Sequence, residues 1–259
     1  MPGAAPLDVL PLWALFVVLV IAILVLDEGG FRLGRMRAKR AHEAEPIVGA
    51  IVAAQLGLLA FLLAFSFNLV ASRFDFRRHV LLDEANAIGT TFLRAAMLPE
   101  AQRVPVRRLL RDYADVRLAA TRGAPTDEVL RRSEEIHQQL WTQAVVAAER
   151  DPRSVPTGLF IQSLNNMIDL HATRVMAGLR NRMPFPVWIM LFAVSLLAFL
   201  TMGYQAGMTT GSRSPAALVL ALTFGAVVWL VANLDRPGEG FVRVSQEPMI
   251  EVRRMMDVK

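Results

Sequence analysis

The second of four apolar runs in this sequence passes without a break into a polar segment, and that continuity limits the fold more than any other feature. From Leu58 to Ile88 there is no Gly or Pro, the residues that most often end a helix. The pattern predicts one long helix that crosses a membrane and continues beyond it. We expect this helix to span the membrane over 47–70 and to reach about Leu98, where Pro99 closes it.

The four apolar runs indicate an integral membrane protein. The 259 residues are 54% hydrophobic, above the roughly 45–50% of soluble proteins. Each run is long enough to cross ~30 Å of hydrocarbon. The first run, which we expect to end at Asp27 to Gly30, has no Lys or Arg before it and no cleavage pattern after it, so we predict a retained span rather than a signal peptide. The predicted spans are 10–26, 47–70, 187–208 and 215–233.

Pro and Gly divide the polar region between the second and third spans into four helical pieces. The first piece is the continuation of the second span. The second starts at Pro105, which suits a first turn, and stops before Gly123. The third starts at Thr126, a plausible N-cap, and ends at Asp151. The fourth runs from about Thr157 to 181–184, and short links between such helices predict an antiparallel bundle.

The predicted fold is therefore an all-α membrane protein. It has four transmembrane helices and an extramembrane antiparallel helical bundle, and the second span is continuous with the first bundle helix. Four spans put both termini and the bundle on one side, where Arg and Lys near the span ends are more numerous, so we expect a cytoplasmic bundle in a bacterial inner membrane. The predicted divisions are 1–70 for two spans with a basic link, 71–185 for the bundle, 186–234 for two spans and 235–259 for a polar tail.

One stripe of the second span carries the first candidate functional residues. Gly57, Phe61 and Phe65 recur every four residues, and Asn68 and Ser72 continue the same helix face. Around a symmetry axis, such aromatic residues would form an apolar constriction that gates ions by dewetting. Alternatively, Phe61 and Phe65 pack against lipid or against neighbouring spans.

An arginine-rich collar follows, at the position where lipid should end. Arg73, Arg77 and Arg78 either anchor the protein to anionic headgroups or, with Asn68, surround a pore mouth and raise the local concentration of anions. Both interpretations remain open from the sequence.

A polar cluster is predicted in the bundle. Glu84 and Thr91 share a stripe of the first bundle helix, and His171 lies on an otherwise apolar stripe of the last. Because a buried polar group without a partner costs roughly 1–3 kcal/mol, we expect Glu84 to contact the helix that carries His171 and Arg174. The cluster is either a structural clamp or a polar vestibule or ligand site. Its predicted members are Glu84, Asn86, Thr91, Asn165, Asn166, Asp169, His171 and Arg174.

Several classes of function are not favoured. The chain has no cysteine, which excludes disulfides and thiolate chemistry, and its four histidines show no i,i+4 pairing for a metal. There is no Ser/His/Asp set and no Gly-rich phosphate loop. We therefore expect no enzymatic activity, no cofactor, no metal and no nucleic-acid partner.

Four partly overlapping stretches of sequence resemble known families. The run FLLAFSFNLVASRFDFRRHVLLDEANAIG resembles the bestrophins, in which spaced bulky residues of the second span form a channel neck before an Arg-aromatic pair. Arg73-Phe74 matches the pair, Phe61 and Phe65 match two neck positions, and Gly57 occupies the third. More closely, EANAIGTTFLRAAMLP, NNMIDLHATR and LDRPGEG resemble motifs of a bestrophin-like group of bacterial and plant membrane proteins.

The resemblance implies a homo-oligomeric ion channel, a pentamer, with the second span along the pore. With the arginines, it leads us to expect anions as the favoured ions, and membrane lipids as the other partner. The alternative is a membrane-anchored sensor or scaffold whose bundle binds a ligand or a partner. A secondary transporter is less favoured because the sequence shows neither internal repeats nor broken spans.

Overall fold

The computed structural model describes residues 10–38, 45–179, 181–209, 215–236 and 241–257. These residues form helices and no strand. The helices are α1 (Leu12–Ala38), α2 (Glu45–Ala95), α3 (Glu100–Ala119) with a 3-10 turn at Ala120–Arg122, α4 (Thr126–Arg150), α5 (Val155–Leu179), α6 (Phe185–Thr209), α7 (Pro215–Asp235) and α8 (Glu247–Met255). Residues 39–44 of the basic link between the first two spans, residues 210–214 of the link TTGSRSP and residues 237–240 of LDRPGEG lie outside the described residues.

Four helices are apolar and long enough to cross a membrane, namely α1, α2, α6 and α7, which confirms the predicted spans. As predicted, α2 is unbroken over 51 residues. Its α-helical part ends at Ala95, however, and not at Leu98. The backbone N–H groups of Ala96, Met97 and Leu98 each bond three residues back, so the helix tightens into a turn before Pro99.

The helix of the first span does not end where the apolar run ends. α1 continues through Asp27 to Gly30 and reaches Ala38. The reason is contact with α6, because a Cβ atom at Gly30 would collide with the carbonyl oxygen of Leu200, and one at Gly203 with that of Asp27. Gly34 and Gly207 repeat this close approach one turn further along each helix. These glycines allow two membrane helices to pack backbone to backbone, a common use of small residues there.

Two helix starts in the polar region also differ from prediction. α3 begins at Glu100, so Pro105 lies inside the helix rather than in its first turn. Its missing N–H leaves the carbonyl of Ala101 unbonded within the helix, but Ala101 is exposed and water can serve that oxygen. Thr126 is the first helical residue of α4 and not its cap, which is Pro125. Gly123 adopts a left-handed φ of 94° and stops the preceding turn as predicted.

The chain divides into two compact units. The first comprises Met1–Phe74 and Arg182–Arg243, and the second comprises Asp75–Asn181 and Val244–Lys259. Helix α2 contributes to both. The antiparallel order of the bundle and the four predicted divisions of the chain stay predictions.

Each unit has its own apolar core. In the first unit, α1 packs along α6 and α7. The fully buried side chains of this unit include Ile23, Leu191 and Phe199. In the second, Ile88 and Tyr113 are among the fully buried side chains, and α8, which the sequence did not predict, adds Met249 to this core.

The neighbouring glycines of α1 provide a test of the close α1–α6 contact. Gly30→Ala places a methyl group against the Leu200 carbonyl, and we expect it to lower the free energy of unfolding by about 1–3 kcal/mol. Gly29→Ala is the matched control, because a Cβ there meets nothing within 4 Å. Thermal unfolding in detergent measures both, and equal melting temperatures for the two variants would contradict the contact.

Candidate functional site

Helix α2 presents one outward face in the first unit. Gly57, Phe61, Phe65, Asn68 and Ser72, which we call the α2 strip, are all exposed. The side chains of Phe61 and Phe65 are 67% and 53% exposed. At Gly57 a Cβ atom would meet nothing within 4 Å. The structure therefore brings all the predicted constriction residues and Asn68 onto a single uncovered surface.

The opposite face of α2 is buried within the first unit. Leu59, Ser66 and Val70 are buried there. Gln55 faces protein, as its polar side chain in a span predicts, and accepts a hydrogen bond from the Thr201 hydroxyl. Of the apolar segments of the four candidate spans, that of α2 is the least buried, at 11% against 22–44% for the others.

The three collar arginines do not share the strip. Arg73 is half-buried, Arg77 is buried and Arg78 is exposed. At 3.6 residues per turn, Arg77 lies roughly 160° around α2 from Phe61, on the buried side, and Arg73 and Arg78 lie roughly 100–120° away. Of the predicted pore-mouth residues, only Asn68 has the same helix phase as the two phenylalanines.

A buried ion-pair network, which we call the Glu84 cluster, lies in the second unit. The side chain of Glu84 is fully buried. Its Oε1 accepts a 2.7 Å hydrogen bond from the Tyr113 hydroxyl and lies 3.1 Å from Arg117 Nε. Its Oε2 contacts Arg174 Nη1. The predicted contact between Glu84 and the helix of Arg174 is thus confirmed.

Two histidines complete the Glu84 cluster. His171 Nδ1 lies 3.0 Å from the Tyr113 hydroxyl and 3.8 Å from Glu84 Oε1, so only the first distance is a hydrogen bond. Because the single Tyr113 proton goes to Glu84, we assign the proton of that second bond to His171 Nδ1. The His137 ring lies 4.8 Å from the ring of Tyr113 and 4.9 Å from that of His171, and its buried Nε2 has no hydrogen-bond partner.

Burial and neighbouring charge set the pKa values in the Glu84 cluster. Burial alone would raise the pKa of Glu84, but His171 and the guanidinium groups of Arg117 and Arg174 outweigh it and lower that pKa. Burial, followed by the charge of Glu84, raises the pKa of Tyr113. Burial, aided by His171, lowers the pKa of His137 from 6.5 to about 4. At neutral pH the Glu84 cluster therefore contains a carboxylate, two guanidinium groups and a neutral His137.

The Glu84 cluster also contacts the C-terminal segment of the chain. Arg174 Nη2 donates a 3.0 Å hydrogen bond to Gln246 Oε1, just before α8. The Nε of Arg253, in α8, lies 2.7 Å from Asp115 Oδ1 on α3. Residues from α2, α3, α5 and the C-terminal segment are thus joined by charged or charge-assisted contacts.

The other predicted members of the cluster lie elsewhere in the second unit. Thr91 is buried, but its hydroxyl bonds to the Ala87 carbonyl of its own helix. An open groove of about 740 Å³ between α2 and α5, which we call the amide groove, is lined in part by four of them: Asn86, Asn165, Asn166 and Asp169. The single cluster predicted from the sequence is therefore two features, a buried ion pair and an exposed groove.

Three members of the Glu84 cluster, Tyr113, Arg117 and His137, were missed from the sequence. Helix periodicity could have identified them as polar residues on apolar stripes. Arg117 occurs one turn after Tyr113 on the apolar stripe of α3, and His137 lies on the apolar stripe of α4. A charged or titratable residue on an apolar stripe needs a partner inside the core. Across the described ranges, no three His, Cys, Asp or Glu side chains are grouped so as to hold a metal ion.

Removal of the Glu84 charge tests the network. Glu84→Gln leaves the buried guanidinium group of Arg117 and the partly buried one of Arg174 near a neutral amide, and we expect it to lower the free energy of unfolding by about 3–5 kcal/mol. The control is Asp83→Asn, since Asp83 is the adjacent residue but is exposed, and we expect a change below about 0.5 kcal/mol. The measurement is thermal or denaturant unfolding of both variants in detergent. The network would be refuted if Glu84→Gln proved as stable as Asp83→Asn.

The lowered pKa of His137 predicts a specific acid sensitivity. The unfolded chain takes up this proton near pH 6.5 and the folded chain only near pH 4, so the stabilisation present above pH 6.5 is lost between these values. By 1.36 kcal/mol per pKa unit, the loss is roughly 3 kcal/mol. In His137→Phe the melting temperature should change less over this pH range, whereas replacement of the exposed His79 should leave its pH dependence unchanged. The contribution of Glu84, whose pKa is also lowered, is lost only below about pH 4.5.

Comparison with known proteins supports a family assignment. The family model Bestrophin-like domain matches residues 12–249. No curated protein sequence matches the chain. A crystal structure of a bacterial bestrophin homologue from Klebsiella pneumoniae that carries one substitution is 14% identical, with a TM-score of 0.62, and the match covers 93% of this chain and 96% of that one. A structure described only as a membrane protein gives 13% identity and a TM-score of 0.62 over 95% and 97% of the two chains. At such identities the likeness establishes a shared fold.

Proposed function

The chain belongs to the bestrophin-like family, and from this premise we propose that it is one subunit of an oligomeric membrane ion channel whose pore is lined by α2. The observation that carries the proposal is the α2 strip, which is uncovered in the single subunit although it belongs to an apolar span. The proposed partners are other copies of the chain, membrane lipids and inorganic ions.

The polar members of the α2 strip argue against a surface that faces only lipid. Asn68 is exposed within the predicted span, and a polar amide in hydrocarbon is costly unless it faces protein or water. The Ser72 hydroxyl bonds to the backbone carbonyl of Asn68, 2.9 Å away, whereas the side-chain amide of Asn68 has no hydrogen-bond partner among the described residues. A ring of subunits with the strip towards its axis would place Asn68 in water.

The aromatic members of the strip fit a constriction. In such a ring, Phe61 and Phe65 from each subunit would narrow the path at two levels, and apolar narrowings gate ions by loss of water. Gly57, one turn before Phe61, would leave the third level wide. The proposed gate therefore has two aromatic levels.

The proposal also includes the number of subunits and the orientation. Five copies, a bacterial inner membrane and a cytoplasmic second unit follow from the family resemblance and from the distribution of basic residues. An anion preference was expected from the collar, but Arg77 is buried, and Arg73 and Arg78 lie to the sides of the strip. The exposed Arg78 remains the best support for it.

Ion flux through reconstituted protein tests the proposal. We expect the full chain in lipid vesicles to conduct, and Phe61→Ala and Phe65→Ala to raise the flux by widening the constriction. Phe67→Ala is the matched control, because Phe67 is on the same helix and 41% exposed but lies roughly 120° away from Phe61. If all three variants changed the flux equally, Phe61 and Phe65 would face lipid rather than the pore. Absence of flux would favour the alternative, a membrane-anchored sensor or scaffold.

A further inference from the structure

We propose that the second unit binds phosphate groups on one face of α3, through a cluster of four arginine side chains. The site lies on a helix outside the four candidate spans, and the inference goes beyond the proposed function because it does not depend on ion conduction. A soluble phosphorylated compound and a phospholipid headgroup both carry this chemistry, and binding measurements separate the two sources. The residues, which we call the α3 arginine cluster, are Arg103, Arg107, Arg108 and Arg111.

The spacing of the α3 arginine cluster brings like charges together. Arg103, Arg107 and Arg111 follow one another at i, i+4 and i+8, so they form one stripe of the helix. Arg108 lies beside this stripe, roughly 60° around the helix from Arg111. Neighbours one turn apart have Cβ atoms roughly 5–6 Å from each other, and like charges at this spacing destabilise a helix. An anion between the side chains would remove this repulsion.

The protein itself provides little negative charge to the α3 arginine cluster. Among the described residues, the only carboxylate within salt-bridge distance is that of Glu100, whose Oε2 lies 4.0 Å from Arg103 Nη2. This distance is too long for a hydrogen bond, and the Glu100 side chain is 82% exposed. Asp115, one turn after Arg111, pairs instead with Arg253 at 2.7 Å. The charge of the cluster is therefore largely uncompensated.

A buried aromatic ring positions two of the guanidinium groups. The Cζ atoms of Arg107 and Arg111 lie 4.3 Å and 5.4 Å from the centroid of the Phe92 ring. Phe92 belongs to the apolar core of the second unit, so its ring is held in place by the surrounding side chains. Cation–π contact with a fixed ring restricts both arginine side chains before any ligand arrives. Binding then costs less side-chain entropy than it would at freely moving arginines.

The positioned guanidinium groups keep hydrogen-bond donors for a ligand. Arg107 makes no hydrogen bond to the described part of the chain, and although its Nε is buried, its two terminal nitrogens reach the surface. Arg111 uses its Nε alone, which donates a 3.0 Å hydrogen bond to the Met256 carbonyl. Arg108 is exposed. The terminal nitrogens of these side chains can therefore donate to an oxyanion in pairs.

The number of arginines favours phosphate over a carboxylate as the ligand. A phosphate monoester carries a charge of about −1.5 to −2 at neutral pH and three strong acceptor oxygens. The planar guanidinium fork matches two of these oxygens at a time. Two arginines one turn apart can hold one phosphoryl group, and the stripe of three has room for a second. We therefore expect inorganic pyrophosphate to bind more tightly than the dicarboxylate malonate.

Titration calorimetry of the full chain in detergent, at constant ionic strength, tests the inference with pyrophosphate and malonate. We expect Arg107→Gln to weaken pyrophosphate binding about 10-fold, because it removes charge-assisted hydrogen bonds. Arg122→Gln is the matched control, since Arg122 is exposed beyond the end of α3, has no ion pair among the described residues and should leave the affinity unchanged.

A second measurement identifies a lipid source. The full chain is placed in nanodiscs of phosphatidylcholine, with or without phosphatidic acid, and its melting temperature is compared. A rise with phosphatidic acid that is lost in Arg107→Gln and kept in Arg122→Gln supports a headgroup as the ligand. Pyrophosphate binding with the same dependence on Arg107 supports a soluble compound.

Three results would overturn the phosphate site. They are no response in either measurement, equal affinity for malonate and pyrophosphate, and equal loss in Arg107→Gln and Arg122→Gln. If Arg107→Gln does not fold, the double variant Arg103→Gln, Arg108→Gln replaces it, because that variant leaves both contacts with Phe92 in place. Weaker binding by the double variant supports the site, and unchanged binding overturns it. Absence of ion flux would overturn the channel proposal and leave this site standing.

Discussion

A carboxylate inside a protein core has to be matched by positive charge, and in the second unit Glu84 meets this requirement with Arg117 and Arg174. The match works in both directions, since the buried Arg117 and the partly buried Arg174 both need the carboxylate as a counterion. Tyr113 donates to the same carboxylate and also bonds to His171. The core of this unit therefore depends on one charge that α2 supplies to residues of α3 and α5.

Glu84 also fixes how α2 is rotated about its own axis. Consecutive residues of a helix point about 100° apart, so the inward direction of Glu84 turns the neighbouring Asp83 outward. Rotation of α2 by one residue in the sense that brings Ala85 to the position of Glu84 would leave both guanidinium groups without a counterion. In the second unit, the buried ion pair thereby selects which face of α2 remains exposed.

The features that the sequence predicted correctly are those that depend on local pattern. The absence of Gly and Pro is enough to predict one unbroken α2, and hydrophobic length is enough to predict the four spans. Gly30 shows the limit, because a glycine after an apolar run is compatible with a helix end and with a close helix contact. Only the position of Leu200, far along the chain, distinguishes the two. Glu84 and Arg174 could be paired by their chemistry, whereas Tyr113 and His137 required knowledge of which helix faces meet.

The arginine collar illustrates the same limit for charge. Position in the sequence gives the depth of a charged residue relative to the membrane, and by that measure Arg73, Arg77 and Arg78 are well placed to attract anions. Phase around the helix decides whether an ion on one side of α2 meets the charge at short range. Arg77 is buried, whereas Arg78 is exposed. Because the interaction between exposed charges falls with distance and is screened within about 10 Å, a collar arginine attracts an ion only where its own side of the helix meets the path of that ion.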